Sequence, residues 1–496
     1  MNDNITTSYL AKEVNGRLLG SDQPITGIFT FLNHAKSGDV VVRHWIDEHG
    51  VEIAAKKKVS CIVTQNLHRK TIEIADKLGV PLIITPKIEI ANAFAIKWAV
   101  KNFAKDSLRI VVTGTNGKST TAHMIYTILK DAGYSTYTNT DAKSEFNTLI
   151  DPVVAKQIAE FESLKGEKIQ AMVVEVSEVQ GWLDKLMKDH ARIMTSAVDP
   201  DVLVITNISL DHIGLVNSIE ETFNEIYGSL EAMSDRSSAN KYEDNSILKD
   251  NYAILNSDDP LLRKMGKLVE DNDVKLLFYG SKHESSDPTI TLKSDGIYMG
   301  ENNFLKTENL PFKSKHFIQN TMAAVCACIA LNIDLESIKM AVSSYKPLNR
   351  RFTVLSSDPF VIDDFAHNPE GIIATIRSAA KMSEGILYVV FAIRGSRGEL
   401  INILNSEAVV KGLDGVDHTL IVTCSEEVVD NANTVTSLEK KVVLETLEKY
   451  GIKYQFKEKL YSSLEYSVKS AKEIDTILLI GAQGMDPASK LLKKIC

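Results

Sequence analysis

A strand-to-helix turn with the composition of an anion cradle constrains this chain more than any other feature. RIVVTG (Arg109–Gly114) is a continuous apolar strand, Gly114 to Gly117 is the turn, and a helix runs on from Ser119. The usual phosphate loop reads G-x-x-x-x-G-K-[ST]. Here the residue five before Gly117 is Val112, and the first glycine comes late, at Gly114. The strand, loop and helix order is nonetheless what a phosphate loop requires, because free N–H groups and the positive dipole end at a helix start favour an anion. Lys118 has the reach for outer phosphates, and the Ser119 hydroxyl is a hard oxygen donor suited to Mg²⁺. The bland alternative is a glycine turn with a solvated lysine, and Lys-Ser directly after Gly117 speaks against it.

At 496 residues the chain is too long for one core. Residues 1–107 read as a small α/β unit, with β-rich runs ITGIFTF, DVVVRHW, VSCIVTQ and PLIITP between helical stretches. Residues 108–345 alternate apolar strands (RIVVTG, AMVVEVS, DVLVITNIS) with helices, the pattern of a parallel sheet covered on both faces. Within them SDRSSANKYEDNSILKD reads as a surface excursion and PTITLKSDGIYMGENNFLKT as a hairpin or meander. Residues 346–496 carry FVIDDF, ILYVVFAI, HTLIVTC and TILLIGAQG between amphipathic helices, a doubly wound Rossmann-like α/β domain. The expected fold class is α/β in three domains, the middle one of phosphate-loop type.

A formal charge of −9 argues against non-specific binding to nucleic acid or to anionic membranes, since neither meets a basic stripe. Five scattered cysteines (Cys61, Cys326, Cys328, Cys424, Cys496) fit a reducing compartment. The polar N-terminus and the lack of a long apolar run lead us to expect a cytoplasmic protein without membrane insertion.

GTNGKST resembles the loop of the Mur ligase family, ATP-dependent enzymes that join a carboxylate to an amino acid's amine. EVSEVQ (Glu175–Gln180), TNISLDHIG (Thr206–Gly214), FIQNTMAAV, NRRFTVL and DDFAHNPEGI are similar to further family motifs and follow in family order. The resemblance implies ATP contacts from Gly114, Thr115, Asn116, Gly117, Lys118, Ser119 and Thr120, with Asn320 on adenine, Asp364 on the ribose, and Arg351 and His367 on the phosphate side. Glu175 closes an apolar strand, where a buried carboxylate is costly unless it meets a cation. Beside the loop it reads as a metal ligand with Ser119, and His212, after TNIS, as a neutral imidazole on the same or a second ion. Lys118, Glu175 and His212 are thus the expected catalytic set, with ATP and Mg²⁺ as cofactors. FAIRGSRGE is similar to the loop presenting an arginine to the amino acid's carboxylate, so Arg397 is the candidate and Arg394 the reserve.

Two departures from the family pattern stand out. Many members carry a modified lysine about 14 residues after the Asp-His pair; IGLVNSIEETFNEIYGSLEAM holds no lysine, and Glu225 or a neighbouring acid is the expected substitute. VTCSEEVVDNAN lacks the D-N-P-R motif of the members that add diaminopimelate or lysine, so the incoming amino acid stays open. TGIFTFLNHAKSGDVVV is similar to the segment that meets uridine. Together these imply a monomeric ligase extending a UDP-linked peptide with a free amino acid, divergent in the direction of pseudomurein peptide ligases. The alternatives are a cyanophycin- or folylpolyglutamate-type ligase, or a non-catalytic nucleotide-binding regulator. The first 107 residues speak against the folate type, which opens almost directly on the loop.

Overall fold

The computed structural model describes residues 5–140, 149, 151–182, 185–211, 215–239, 250–269, 274–281, 288–311, 314–427, 429 and 433–495. It divides into two compact units, one holding residues 1–140, 145–311 and 319–345, the other 346–496 with short flanking pieces.

Among the described residues the first unit contains two large sheets and a two-stranded one, Gly181–Trp182 with Lys185–Leu186. Near the N-terminus, strands Arg17–Leu19, Leu82–Ile84, Cys61–Asn66, Val40–Trp45 and Phe29–Thr30 pair in that spatial order. All pairings are parallel except that of Arg17–Leu19. The second sheet has nine strands. Its interior is Leu108–Thr113, flanked in parallel by Ala171–Glu175 on one side and Val202–Ile205 on the other. Every residue of these three strands is buried, which is why Val, Ile, Leu, Ala and Met dominate them, with Arg109, Thr113 and Glu175 as the buried exceptions. The meander expected from PTITLKSDGIYMGENNFLKT forms as antiparallel strands Ile290–Lys293, Gly296–Met299 and Asn302–Lys306, and it extends the nine-stranded sheet at one edge.

The helix Ile88–Phe103 joins the two sheets within one core. Trp98 meets Phe29 of the first sheet edge-on at 5.2 Å, and the same cluster holds Met172 and Ile205 from the second. The start of the expected surface excursion closes the helix Ile219–Ala239; residues 240–249 lie outside the described residues.

The second unit is a six-stranded sheet ordered Thr353–Ser357, Phe360–Asp364, Thr476–Ile480, Leu387–Ala392, His418–Thr423, Tyr454–Lys457, parallel except at its first pair. Alternate residues of one strand serve opposite faces: Ile362 and Val389 pack in one apolar cluster, Val361 and Val390 in another. That two-sided burial makes it doubly wound. Among the described residues no helix is long and apolar enough to cross a membrane.

Candidate active site

The loop after Leu108–Thr113 bends through two glycines in the left-handed region, Gly114 at φ +111° and Gly117 at φ +85°. Gly117 is the N-cap of the helix Lys118–Asp131 and, having no side chain, supplies no capping bond of its own to the first amides. The loop is held from the next strand's end. Thr206 Oγ1 and Asn207 Nδ2 both donate to Asn116 O at 2.7 Å, Asn207 Oδ1 accepts from Asn116 N at 3.0 Å, and Thr115 Oγ1 donates to Ser209 O at 3.1 Å. The TNIS motif is therefore a clamp on the loop backbone. Asn320, on the helix Lys315–Ala330, lies against the turn: a Cβ on Gly117 would stand 2.3 Å from its Oδ1.

Lys118 folds back over the loop. Its Nζ donates to Gly114 O at 2.7 Å, Thr115 O at 2.8 Å and Glu178 Oε2 at 2.7 Å. Glu178 is fully buried. Sequence reasoning missed this partner, although it lies three residues beyond Glu175 within EVSEVQ.

Glu175 ends its strand where expected and accepts from Ser119 Oγ at 3.1 Å. Its backbone is fixed by Asn139, which accepts from Glu175 N at 2.8 Å and donates to Glu175 O at 3.0 Å. Among the described residues no three His, Cys, Asp or Glu side chains converge as a metal cluster, and His212 lies outside the described residues. A hydroxyl and a carboxylate meeting at a phosphate-type loop nevertheless fit Mg²⁺, which takes few protein oxygens and fills its remaining positions with phosphate and water.

Glu225, the expected stand-in for the modified lysine, is engaged elsewhere. Its Oε2 accepts from Asp189 N at 2.9 Å at the start of the helix His190–Val198. Burial pushes its carboxyl up, with the Asp189 amide pulling it back.

A second feature of this unit is an open cavity of about 310 Å³ lined by Trp45, Gln65, Asn66, Leu67, His68 and Ile84. It lies at the carboxyl ends of three neighbouring strands of the N-terminal sheet, where ligands of open α/β sheets sit. Trp45 is 43% exposed there, and Asn66 Nδ2 lies 3.2 Å from His44 Nδ1.

In the second unit the adjacent aspartates separate as a strand end demands. Asp363 is buried, 3.3 Å from Arg350 Nε, and burial pushes its carboxyl up to about 6 against the pull of Arg350. Arg350 also donates to Ala482 O at 3.0 Å, to Gly481 O and to Asp486. Asp364 turns the other way and accepts from Phe352 N at 2.7 Å, Ala366 N at 2.9 Å and Thr375 Oγ1 at 3.1 Å. The Arg351 guanidinium lies 5.2 Å from the Phe365 ring centre, and His367 Nδ1 lies 2.8 Å from Phe365 O.

The arginine loop has an organiser that the sequence did not announce. Buried Glu439 accepts from Arg397 N and Gly398 N at 2.8 Å, from Ser396 N at 3.1 Å and from Thr436 N at 2.9 Å. Burial works against its charge, but these four amides outweigh it and hold the carboxyl below its ordinary value. The Arg397 side chain lies in an exposed position, where its guanidinium donates to Ser396 O at 3.2 Å and to Asn433 Oδ1 at 3.4 Å. Arg394 Nη1 lies 3.5 Å from His367 O.

Residues 112–328 match the Mur ligase middle domain, and residues 350–483 match the Mur ligase glutamate ligase domain. UDP-N-acetylmuramate--L-alanine ligase of Syntrophomonas wolfei is 23% identical over 382 residues, 75% of this chain and 72% of that relative. MurF from Acinetobacter baumannii superposes with a TM-score of 0.67 at 16% identity, covering 99% of each chain. A pseudomurein peptide ligase type C from Methanothermus fervidus gives 0.58 at 19% identity, covering 92% of this chain and 94% of that one. With its loop, strand-end carboxylate and both matched domains in order, this chain belongs to the Mur ligase family.

Proposed function

We propose that this enzyme spends ATP to join a carboxylate of a UDP-linked cell-wall peptide precursor to the amine of an amino acid. Residues 1–107 hold the acceptor, 108–345 the ATP and 346–496 the amino acid. The observation that carries this reading is Lys118, whose ammonium folds over the loop beside the glycine-capped start of its helix.

The amides of the turn and Lys118 bind the phosphate tail and stabilise charge as the γ-phosphoryl group moves to the acceptor carboxylate. Ser119 and Glu175 would hold Mg²⁺, which when bound neutralises phosphate charge. The resulting acyl phosphate is then attacked by the amine, with phosphate leaving. Arg397 on its Glu439-braced loop pairs with the amino acid's carboxylate and so orients the amine. The strand-end cavity around Trp45 offers an aromatic face and amide side chains, chemistry suited to the base of a nucleotide-linked acceptor.

The test is ADP release by the full chain with a UDP-linked peptide, across the proteinogenic amino acids plus diaminopimelate and ornithine, with product identified by mass. Turnover is expected only when acceptor and amino acid are both present, and Lys118→Ala, still folded, loses most of it. Product with a folate or cyanophycin acceptor but none with any UDP-linked one would replace this reading with that alternative.

A further inference from the structure

Among the described residues Tyr279 is the largest of the fully buried side chains, and a phenolic hydroxyl taken out of water needs an acceptor. It donates to Thr206 O at 3.1 Å, where Asn256 Nδ2 also lies at 3.4 Å. Thr206 in turn grips the phosphate-type loop: its N–H donates to Thr113 O at 3.1 Å and its Oγ1 to Asn116 O at 2.7 Å. A trans peptide points its C=O and the following N–H in opposite directions. Holding Thr113 O and Asn116 O therefore sets where the amides of Gly114 and Gly117 point. Two residues beyond Thr206, Ile208 N donates to Asp259 Oδ2 at 2.8 Å. The other oxygen of Asp259 accepts from Leu261 N at 2.8 Å and Leu262 N at 3.3 Å, which moors the clamp to the start of the helix Pro260–Lys267. The strand that carries Tyr279, Val274–Gly280, stands three places from Leu108–Thr113 in the sheet, roughly 14 Å across the ladder. Its hydroxyl thus acts on the loop through Thr206 rather than by contact.

We propose that Tyr279 and Asp259 are positioning residues for nucleotide binding: acting through Thr206 and Ile208, they fix the direction of the Gly114 and Gly117 amides and with it the affinity of the loop for a diphosphate. Neither side chain touches the ligand on this view; each selects the loop conformation whose N–H groups converge on it. The inference rests on the nucleotide reading of the loop given above.

The experiment titrates ADP in MgCl₂ into the full chain by calorimetry, for the wild type, Tyr279→Phe, Asp259→Asn and a matched control, Tyr137→Phe. Tyr137 is buried on the strand Thr136–Thr138 at the edge of the same sheet, and its hydroxyl donates to Gln157 Oε1 at 2.8 Å. The two tyrosine variants each lose one buried hydroxyl bond and should lose similar stability in thermal unfolding. ADP should nevertheless bind Tyr279→Phe about fivefold or more weakly than the wild type, because loops with misdirected amides leave the competent population. Asp259→Asn should weaken binding too, since one carbonyl oxygen cannot serve both Ile208 and the helix start, whereas Tyr137→Phe should bind as the wild type does. In turnover with the acceptor and amino acid that the mass screen identifies, the KM for ATP should rise in Tyr279→Phe and that for the amino acid should stay. A loss of ADP affinity below about twofold in folded Tyr279→Phe or Asp259→Asn overturns the inference while leaving the nucleotide site standing. An equal loss in Tyr137→Phe, or equal rises in both KM values, overturns it too, since that is what general loosening predicts. If the wild type itself binds no ADP, the nucleotide reading fails and takes the inference with it. Should Tyr279→Phe not fold, Asp259→Asn decides in its place by the same criteria.

Discussion

Ser119 Oγ donates to Glu175 Oε1 across 3.1 Å, tying the first turn of one helix to the last residue of the strand beside it. The contact is possible because Val112 is in register with Glu175, so the phosphate-loop strand and its neighbour end together. Replacing Glu175 with Gln keeps the shape and removes the charge. The turnover number should fall roughly 10² to 10³-fold, the scale of losing one preorganised electrostatic group. The circular dichroism spectrum should not change; a variant retaining more than half of its turnover would remove Glu175 from the site.

Gly114 and Gly133 both have positive φ, but only one is crowded. A Cβ on Gly114 would stand 2.4 Å from Thr206 Oγ1 and 2.8 Å from Thr206 N, whereas nothing lies within 4 Å of one on Gly133. Gly133→Ala should therefore cost about 1 kcal/mol of backbone strain and leave ADP binding alone. Gly114→Ala should cost about 2–3 kcal/mol and abolish binding, because the clamp must open to admit the methyl group. Urea unfolding together with ADP titration separates the two.

Glu439→Ala strands the buried amides of the arginine loop. A stability loss of about 3 kcal/mol is expected in the unfolding of the second unit. Under conditions where the variant is folded, the KM for the amino acid should rise at least about tenfold with the KM for ATP unchanged. Equal rises in both constants would argue for general damage instead.

His190 is completely buried with neither ring nitrogen bonded among the described residues, and burial lowers its basicity from 6.5 to about 4. The unfolded chain thus binds a proton that the folded chain refuses between those values. Stability is fully present above about pH 6.5 and drains as pH falls toward 4. His190→Leu removes this penalty, so relative to its value at pH 7.5 the variant should gain about 2 kcal/mol over the wild type at pH 5. Parallel pH profiles of the two proteins would show that His190 does not set the acid limb.

The phosphate-type loop of the candidate site was legible because its signals are local. A strand, two glycines and Lys-Ser occupy adjacent positions, and backbone physics turns that order into an anion cradle whatever surrounds it. The strand-end position of Glu175 could be read in the same way, from an apolar run that stops at an acid. What escaped were partners fixed by pairing across the chain. Glu178 reaches Lys118 over 60 residues, and Glu439 braces a loop some 40 residues away. Neither contact leaves a periodic trace. Glu225 shows the other side of this: the acid at a plausible spacing accepts from Asp189 N at the start of a neighbouring helix, a contact that spacing along one helix does not foretell. The two adjacent aspartates were read more nearly, because strand geometry alone sends Asp363 and Asp364 to opposite faces. Only the packing reveals that Arg350 is what receives the buried one.

The phosphate loop, Glu175 and Thr206 all issue from the same edge of three adjacent strands in the interior of a nine-stranded sheet. Their separations are accordingly inherited from the roughly 4.8 Å ladder spacing rather than from the loops that carry the side chains. Fraying of the meander, whose rim strand Asn302–Lys306 lies six places from Leu108–Thr113, leaves that spacing untouched, so tags or insertions grafted there should leave the loop and Glu175 undisturbed.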